Sequence, residues 1–227
     1  MSTAENDDFI AKEGHSYRPD DGSDFSAPLN AAKSGRLVFA SSGQGLELLA
    51  DPSLPYLYRA SFRHHVPRVS VQGNIVTLDY GRHPLLRSSL NLRRPRADIS
   101  LNGAIPWEIE FRKEVSHLNA ELSRLQLRSL DILGGASQIR LRLSQPSGTA
   151  FIYISGCVSQ AAIRVPFLSG IRVRINGGST NLTFGDQHFR AIGGETSLQS
   201  PDFESTAGRY DICIAGGTSN LAIERKG

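Results

Sequence analysis

The sequence predicts an all-β protein, and within that class a single-chain β-solenoid, β-helix-like, with ~21-residue repeats behind a disordered acidic N-terminal tail. Three observations carry this. A Gly-rich phrase recurs as Gly134-Gly135-Ala136-Ser137, Gly156-Cys157-Val158-Ser159, Gly177-Gly178-Ser179-Thr180 and Gly216-Gly217-Thr218-Ser219. Its starts are 22, 21 and 39 residues apart, the last interval being close to two repeats. Apolar residues alternate with polar ones at period two after each phrase, as in a strand with one buried face. Gly, Pro, Ser and Asn bound short β-branched or aromatic runs throughout.

In chain order, residues 1–33 are rich in Asp, Ser, Gly and Pro, lack periodicity and read as the tail. Residues 34–96 form an N-terminal β region with strands at 36–39, 45–49, 56–62, 69–71 and 74–80. Pro52, Pro55, Pro67 and Pro84 fall in the breaks, where a missing N–H removes no ladder bond. Val71-Gln72-Gly73-Asn74 reads as a tight turn, since Gly and Asn accept positive φ. Residues 82–97 are a break, a long basic loop or subregion boundary framed by Arg82-His83-Pro84 and Arg93-Arg94-Pro95-Arg96. Residues 97–227 are the solenoid repeats, each a strand, a Gly-rich corner and a second strand. Ile139, Leu141 and Leu143 face inward between Arg140 and Arg142, and Ile171, Val173 and Ile175 between Arg172 and Arg174.

The glycine pairs Gly134 and Gly135, Gly177 and Gly178, and Gly216 and Gly217 are assigned as structural corners. Gly admits positive φ and leaves room for the backbone of a neighbouring coil about 4.8 Å away. Asn181 and Asn220 occupy matching positions and are expected to stack as a side-chain ladder. The C-terminal residues 222–227 stop just after a repeat strand, which predicts an uncapped end open to contact.

The stretch Pro106-Trp107-Glu108-Ile109, with 127–137 (Leu-Arg-Ser-Leu-Asp-Ile-Leu-Gly-Gly-Ala-Ser) and Pro146-Ser147-Gly148, resembles bacterial β-solenoid domains. The likeness is to the LiaF-like cell-envelope stress type (cell-wall-active antibiotic response) and the related adhesin type. It covers roughly residues 100–227, more faintly 35–80. It implies a β-helix of stacked short strands and carries over no catalytic residue.

Charge is uneven along the chain. Its net +3 hides −5 over residues 1–30 and +7 over 56–96. The arginines Arg82, Arg87, Arg93, Arg94 and Arg96 are therefore the expected partner-binding residues, facing an acidic partner or the tail itself. They lack the interleaved aromatics of a single-strand platform, so nucleic acid is not expected. His64 and His65 would point to opposite faces of a strand and cannot share a metal. Cys157 and Cys213 lie among apolar residues and read as buried reduced thiols. Gly43-Gln44-Gly45 is followed by no phosphate-binding helix. No cofactor and no metal is expected.

The functional expectation is a non-enzymatic structural or adaptor protein, cytoplasmic, using a solenoid surface or its ends for a protein partner or self-association. Membrane contact is expected only indirectly. The start shows no signal-peptide pattern, and no apolar run approaches the ~18 residues of a span. An envelope-stress-associated or ligand-binding module is the alternative. A polysaccharide-acting β-helix enzyme is the second, with Asp186, Asp202, Glu204 and Asp211 as its candidate carboxylates.

Overall fold

The computed structural model describes residues 24–63, 65–81 and 96–226. These form nineteen strands and no helix. In chain order they are β1 (Asp24–Pro28), β2 (Gly35–Phe39), β3 (Gly43–Asp51), β4 (Tyr56–Arg63), β5 (Arg68–Gln72), β6 (Ile75–Asp79) and β7 (Arg96–Asn102). Then follow β8 (Pro106–Phe111), β9 (Val115–Leu122), β10 (Gln126–Ile132), β11 (Ala136–Leu143), β12 (Thr149–Ile154) and β13 (Val158–Val165). The last are β14 (Gly170–Ile175), β15 (Ser179–Phe184), β16 (Gln187–Ile192), β17 (Thr196–Gln199), β18 (Arg209–Ile214) and β19 (Thr218–Arg225).

The strands make two sheets. The first runs β1-β4-β7-β3-β9-β11-β13-β19-β15-β16 and the second β17-β14-β18-β12-β10-β8-β2-β6-β5. A coil is one strand of the second sheet followed by one of the first, and adjacent coils pair in parallel. The alternation read from the sequence decides which face is buried. Ile139, Leu141 and Leu143 of β11 are inside and Arg140 and Arg142 outside. The inner faces of both sheets form a single core, in which Phe39 and Phe111 of neighbouring coils stack at 4.4 Å. Trp107 is fully buried and its Nε1–H donates to the Asn102 carbonyl at 2.8 Å.

The coils do not stack in chain order. Along the stack they run β6/β7, β2/β3, β8/β9, β10/β11, β12/β13, β18/β19, β14/β15. At one end the outer coil β6/β7 follows the inner β2/β3 in sequence, and at the other β18/β19 is inserted inside the earlier outer coil β14/β15. The long interval between Gly177 and Gly216 is thus not a repeat of the same kind. It holds the antiparallel strands β16 and β17 and the return to the slot that β18/β19 fills.

Four expectations are corrected. The tail ends earlier than residue 33, because β1 lies antiparallel on β4 with Phe25 packed edge-on to Phe62 at 5.7 Å; residues 1–23 lie outside the described residues. The boundary at 96/97 does not divide the structure, since both stretches share both sheets and one core. The C-terminal strand is not an end: β19 sits between β13 and β15. The stack ends are covered instead by antiparallel strands, β4 with β1 and β5 at one end, β16 and β17 at the other.

The last correction concerns the corner glycines, whose conformation and packing separate. Of the six, only Gly178 has positive φ, at 74°. Gly134, Gly177, Gly216 and Gly217 are required by close approach, whereas a Cβ on Gly135 would lie 3.2 Å from the Cys157 carbonyl oxygen. A Cβ on Gly134 would lie 2.5 Å from the Glu114 nitrogen, one on Gly156 2.6 Å from the Gly135 nitrogen, and one on Gly216 2.6 Å from the Gly156 carbonyl carbon. On Gly177 it would meet the Gly217 nitrogen. The left-handed residue comes three or four positions later: His117, Gln138, Gln160, Asn181 and Asn220 all have φ of 53–54°. Each bends its strand at the same register position in successive coils, and Asn181 Nδ2 donates to Asn220 Oδ1 at 2.5 Å, the expected ladder.

Candidate functional site

The carboxylates that an enzyme would use are tied to arginines. Asp211 on β18 is only 5% exposed and accepts from Arg172 at 2.5 Å and Arg174 at 3.0 Å, both on the neighbouring β14. The guanidinium of Arg172 lies 4.5 Å over the Phe203 ring, and that of Arg209 5.5 Å from it. Glu204 lies 3.6 Å from Arg209 and 4.0 Å from Arg172, and Asp202 pairs with Arg225. Burial by itself would raise the Asp211 carboxyl, but the hydrogen bond and charge of Arg172, with Arg174, hold it below the ordinary carboxylate range. The Arg225 hydrogen bond does the same for Asp202. Asp186 stands apart in the β15–β16 turn. Glycoside hydrolysis needs two facing carboxyls, one raised so that it can donate a proton. These acids instead fasten the 200–208 return to the β14/β18 edge.

A shallow groove of about 520 Å³ runs along the corner at the β15 end, lined by Gly177, Gly178, Gly193, Gly194, Cys157 and Ser159, among others. It is floored by backbone and small hydroxyls. Cys157 replaces the second glycine of its phrase and is exposed, not buried as expected, because the second corner position faces outward. Cys213 is half-buried on the outer face of the second sheet. No group of three or more metal-ligating side chains occurs among the described residues.

The arginines expected to bind a partner fall mostly outside view. Arg82, Arg87, Arg93 and Arg94 lie outside the described residues. Arg96 opens β7 and pairs with Asp98 at 2.9 Å.

The outer face of the second sheet carries a feature that the sequence reading did not single out. In register across it lie Arg172 and Arg174 on β14, Asp211 and Cys213 on β18, Phe151 and Tyr153 on β12, Ser129 and Asp131 on β10, and Glu108 and Glu110 on β8. Phe151 is 52% exposed, Tyr153 36%, and Leu133 on the adjoining corner 48%. Positive charge thus lies two strands to one side of an aromatic pair and negative charge two strands to the other. The available signal was the composition of residues 149–154, Thr-Ala-Phe-Ile-Tyr-Ile, apolar on both faces where other repeat strands alternate.

Residues 69–164 match the family model described as the N-terminal domain of toast_rack, DUF2154. No curated protein matches the chain. The fold is similar to that of a candidate cell adhesion protein from Clostridium sporogenes, with 19% identity and a TM-score of 0.68 over 89% of this chain and 98% of that one. A candidate adhesin from Bacteroides fragilis aligns over 89% of this chain and 95% of its own, at 8% identity and a TM-score of 0.27. The chain therefore has the β-solenoid fold of a structure named for cell adhesion, and a central segment similar to the toast_rack N-terminal domain.

Proposed function

We propose that this chain is a non-enzymatic protein-interaction module that binds its partner on the outer face of the second sheet. The observation that carries this is the exposed pair Phe151 and Tyr153 at the centre of a flat parallel sheet, flanked by charge of opposite sign. Solvent-facing strand positions are ordinarily polar, and aromatics are the residues that gain most from being covered by a protein surface. Each stack end finishes in an antiparallel strand, whereas the outer face of the second sheet spans seven parallel coils. The name of the Clostridium sporogenes protein agrees with an interaction role. The arginine stretch 82–96 remains a separate proposal, a salt-sensitive contact for an acidic partner whose described member, Arg96, lies on β7 of the first sheet.

A photo-crosslinking side chain placed at Tyr153, and in a second protein at Arg140 on the first sheet, tests the reading in native lysate. A protein adduct is expected from position 153 and not from 140, and it should disappear when Phe151→Asp is added to the same chain. Equal adducts at both positions, or none at 153, would remove the second sheet as the binding face.

A further inference from the structure

The interaction reading leaves the partner unnamed, and the charge pattern around Phe151 and Tyr153 narrows it. A partner that fits must bring an aromatic centre, acids to meet Arg172 and Arg174, and a base to meet Glu108 and Glu110. The same face of a second copy brings all three. β14 and β8 lie on opposite sides of β12, each two strands or about 10 Å away. A two-fold axis parallel to the strands, passing over β12 between two facing sheets, maps β12 onto β12 and β14 onto β8. Phe151 and Tyr153 then meet their own counterparts, and Arg172 and Arg174 of each copy face Glu108 and Glu110 of the other. The other two-fold in the plane, along the stack, sets arginine on arginine and acid on acid, which like-charge repulsion disfavours. The pattern is thus self-complementary in one orientation, as an isologous contact requires.

Building on the interaction reading above, we propose that the partner is a second copy of this chain, paired face to face through the outer surface of the second sheet about Phe151 and Tyr153. Each face is already organised for this. Arg172 and Arg174 are held in place by Asp211, and Glu110 is fixed between Arg36 at 2.6 Å and Arg112 at 3.0 Å. The side chains that cross the contact are therefore positioned before it forms, which lowers the ordering cost of association. The next strands outward put Gln199 of β17 opposite Arg36 of β2, a polar rim at that register, while Val38 beside it is buried.

Sedimentation velocity on the full chain across a concentration series tests the pairing. The expected result is a monomer–dimer equilibrium that weakens as salt rises to about 0.5 M. Phe151→Asp and, separately, Tyr153→Ser should each raise the dimer Kd at least about tenfold with an unchanged melt. Arg172→Glu and Glu108→Arg, which share one register and so face each other across this axis, should each weaken pairing by about tenfold, and together recover most of it. A chain that stays monomeric at every concentration overturns the proposal, as does a Phe151→Asp protein that pairs like wild type. Failure of the double reversal to recover pairing rejects this two-fold. A monomeric chain that still gives a specific adduct with another protein from position 153 would reject self-pairing and leave the interaction reading standing.

Discussion

At Gly134 the chain approaches its neighbour so closely that no side chain fits, whereas at Gly135 a Cβ would sit 3.2 Å from the Cys157 carbonyl oxygen. The two glycines of a phrase are therefore unequal. Gly134→Val should lose about 1–3 kcal/mol, the range for overpacking, and Gly135→Val clearly less. Denaturant titration of the pair measures this, and equal losses would show that corner packing does not distinguish them. Gln138 sets a second test, since it holds φ of 53° without being glycine. Gln138→Gly should match or exceed wild-type stability, and Gln138→Val should fall below it by about 1–2 kcal/mol, because a branched residue is poorly accommodated in the left-handed region. A melt unaffected by Val would exclude a fixed bend there. The glycine phrases were legible because close stacking removes side chains at a fixed period. The left-handed column was not, because Gln and His carry no turn signal of their own. Only Asn181 and Asn220 hinted at it.

Among elements, the β14/β18 edge depends on one acid. The alternation of Arg172 and Arg174 could be read directly, but their partner Asp211 is 37 and 39 residues away in sequence and becomes adjacent only through the inserted coil. Asp211 has its carboxyl lowered by Arg172 and Arg174, so its contribution is fully present above the unfolded carboxylate value of about 3.9 and is lost as pH falls through the lower folded value. Asp211→Asn should therefore destabilise the protein at neutral pH and show a shrinking difference from wild type below about pH 4. Unfolding free energies measured against pH check this, and a difference that stays constant into strong acid would contradict the ion-pair account. Phe151 and Tyr153 were visible as letters. Their exposure was not, because a strand apolar on both faces reads equally as a buried one.

For the whole molecule, the solenoid class and its repeat were legible, and the order of the coils was not. Every coil presents the same backbone donors and acceptors, so the repeat pattern does not say which coil lies beside which. That is decided where the antiparallel strands turn back and leave a slot. β18 and β19, which follow β14/β15 in sequence, then join β12/β13 to β14/β15. A chain ending at Gly208 should lose cooperative unfolding by circular dichroism, as removing the inserted coil breaks both sheets. Retention of a sharp melt only a few degrees lower would mean that the coils stack in chain order. The exposed aromatic face of the second sheet also dictates how assembly proceeds. Small-angle X-ray scattering of the full chain over a concentration series tests this most directly. The account predicts that scattering mass rises to twice the monomer and stops, with the cross-section widening and the maximum dimension nearly constant. Lengthening particles of constant cross-section would show end-to-end growth and contradict it, as would a mass that never rises.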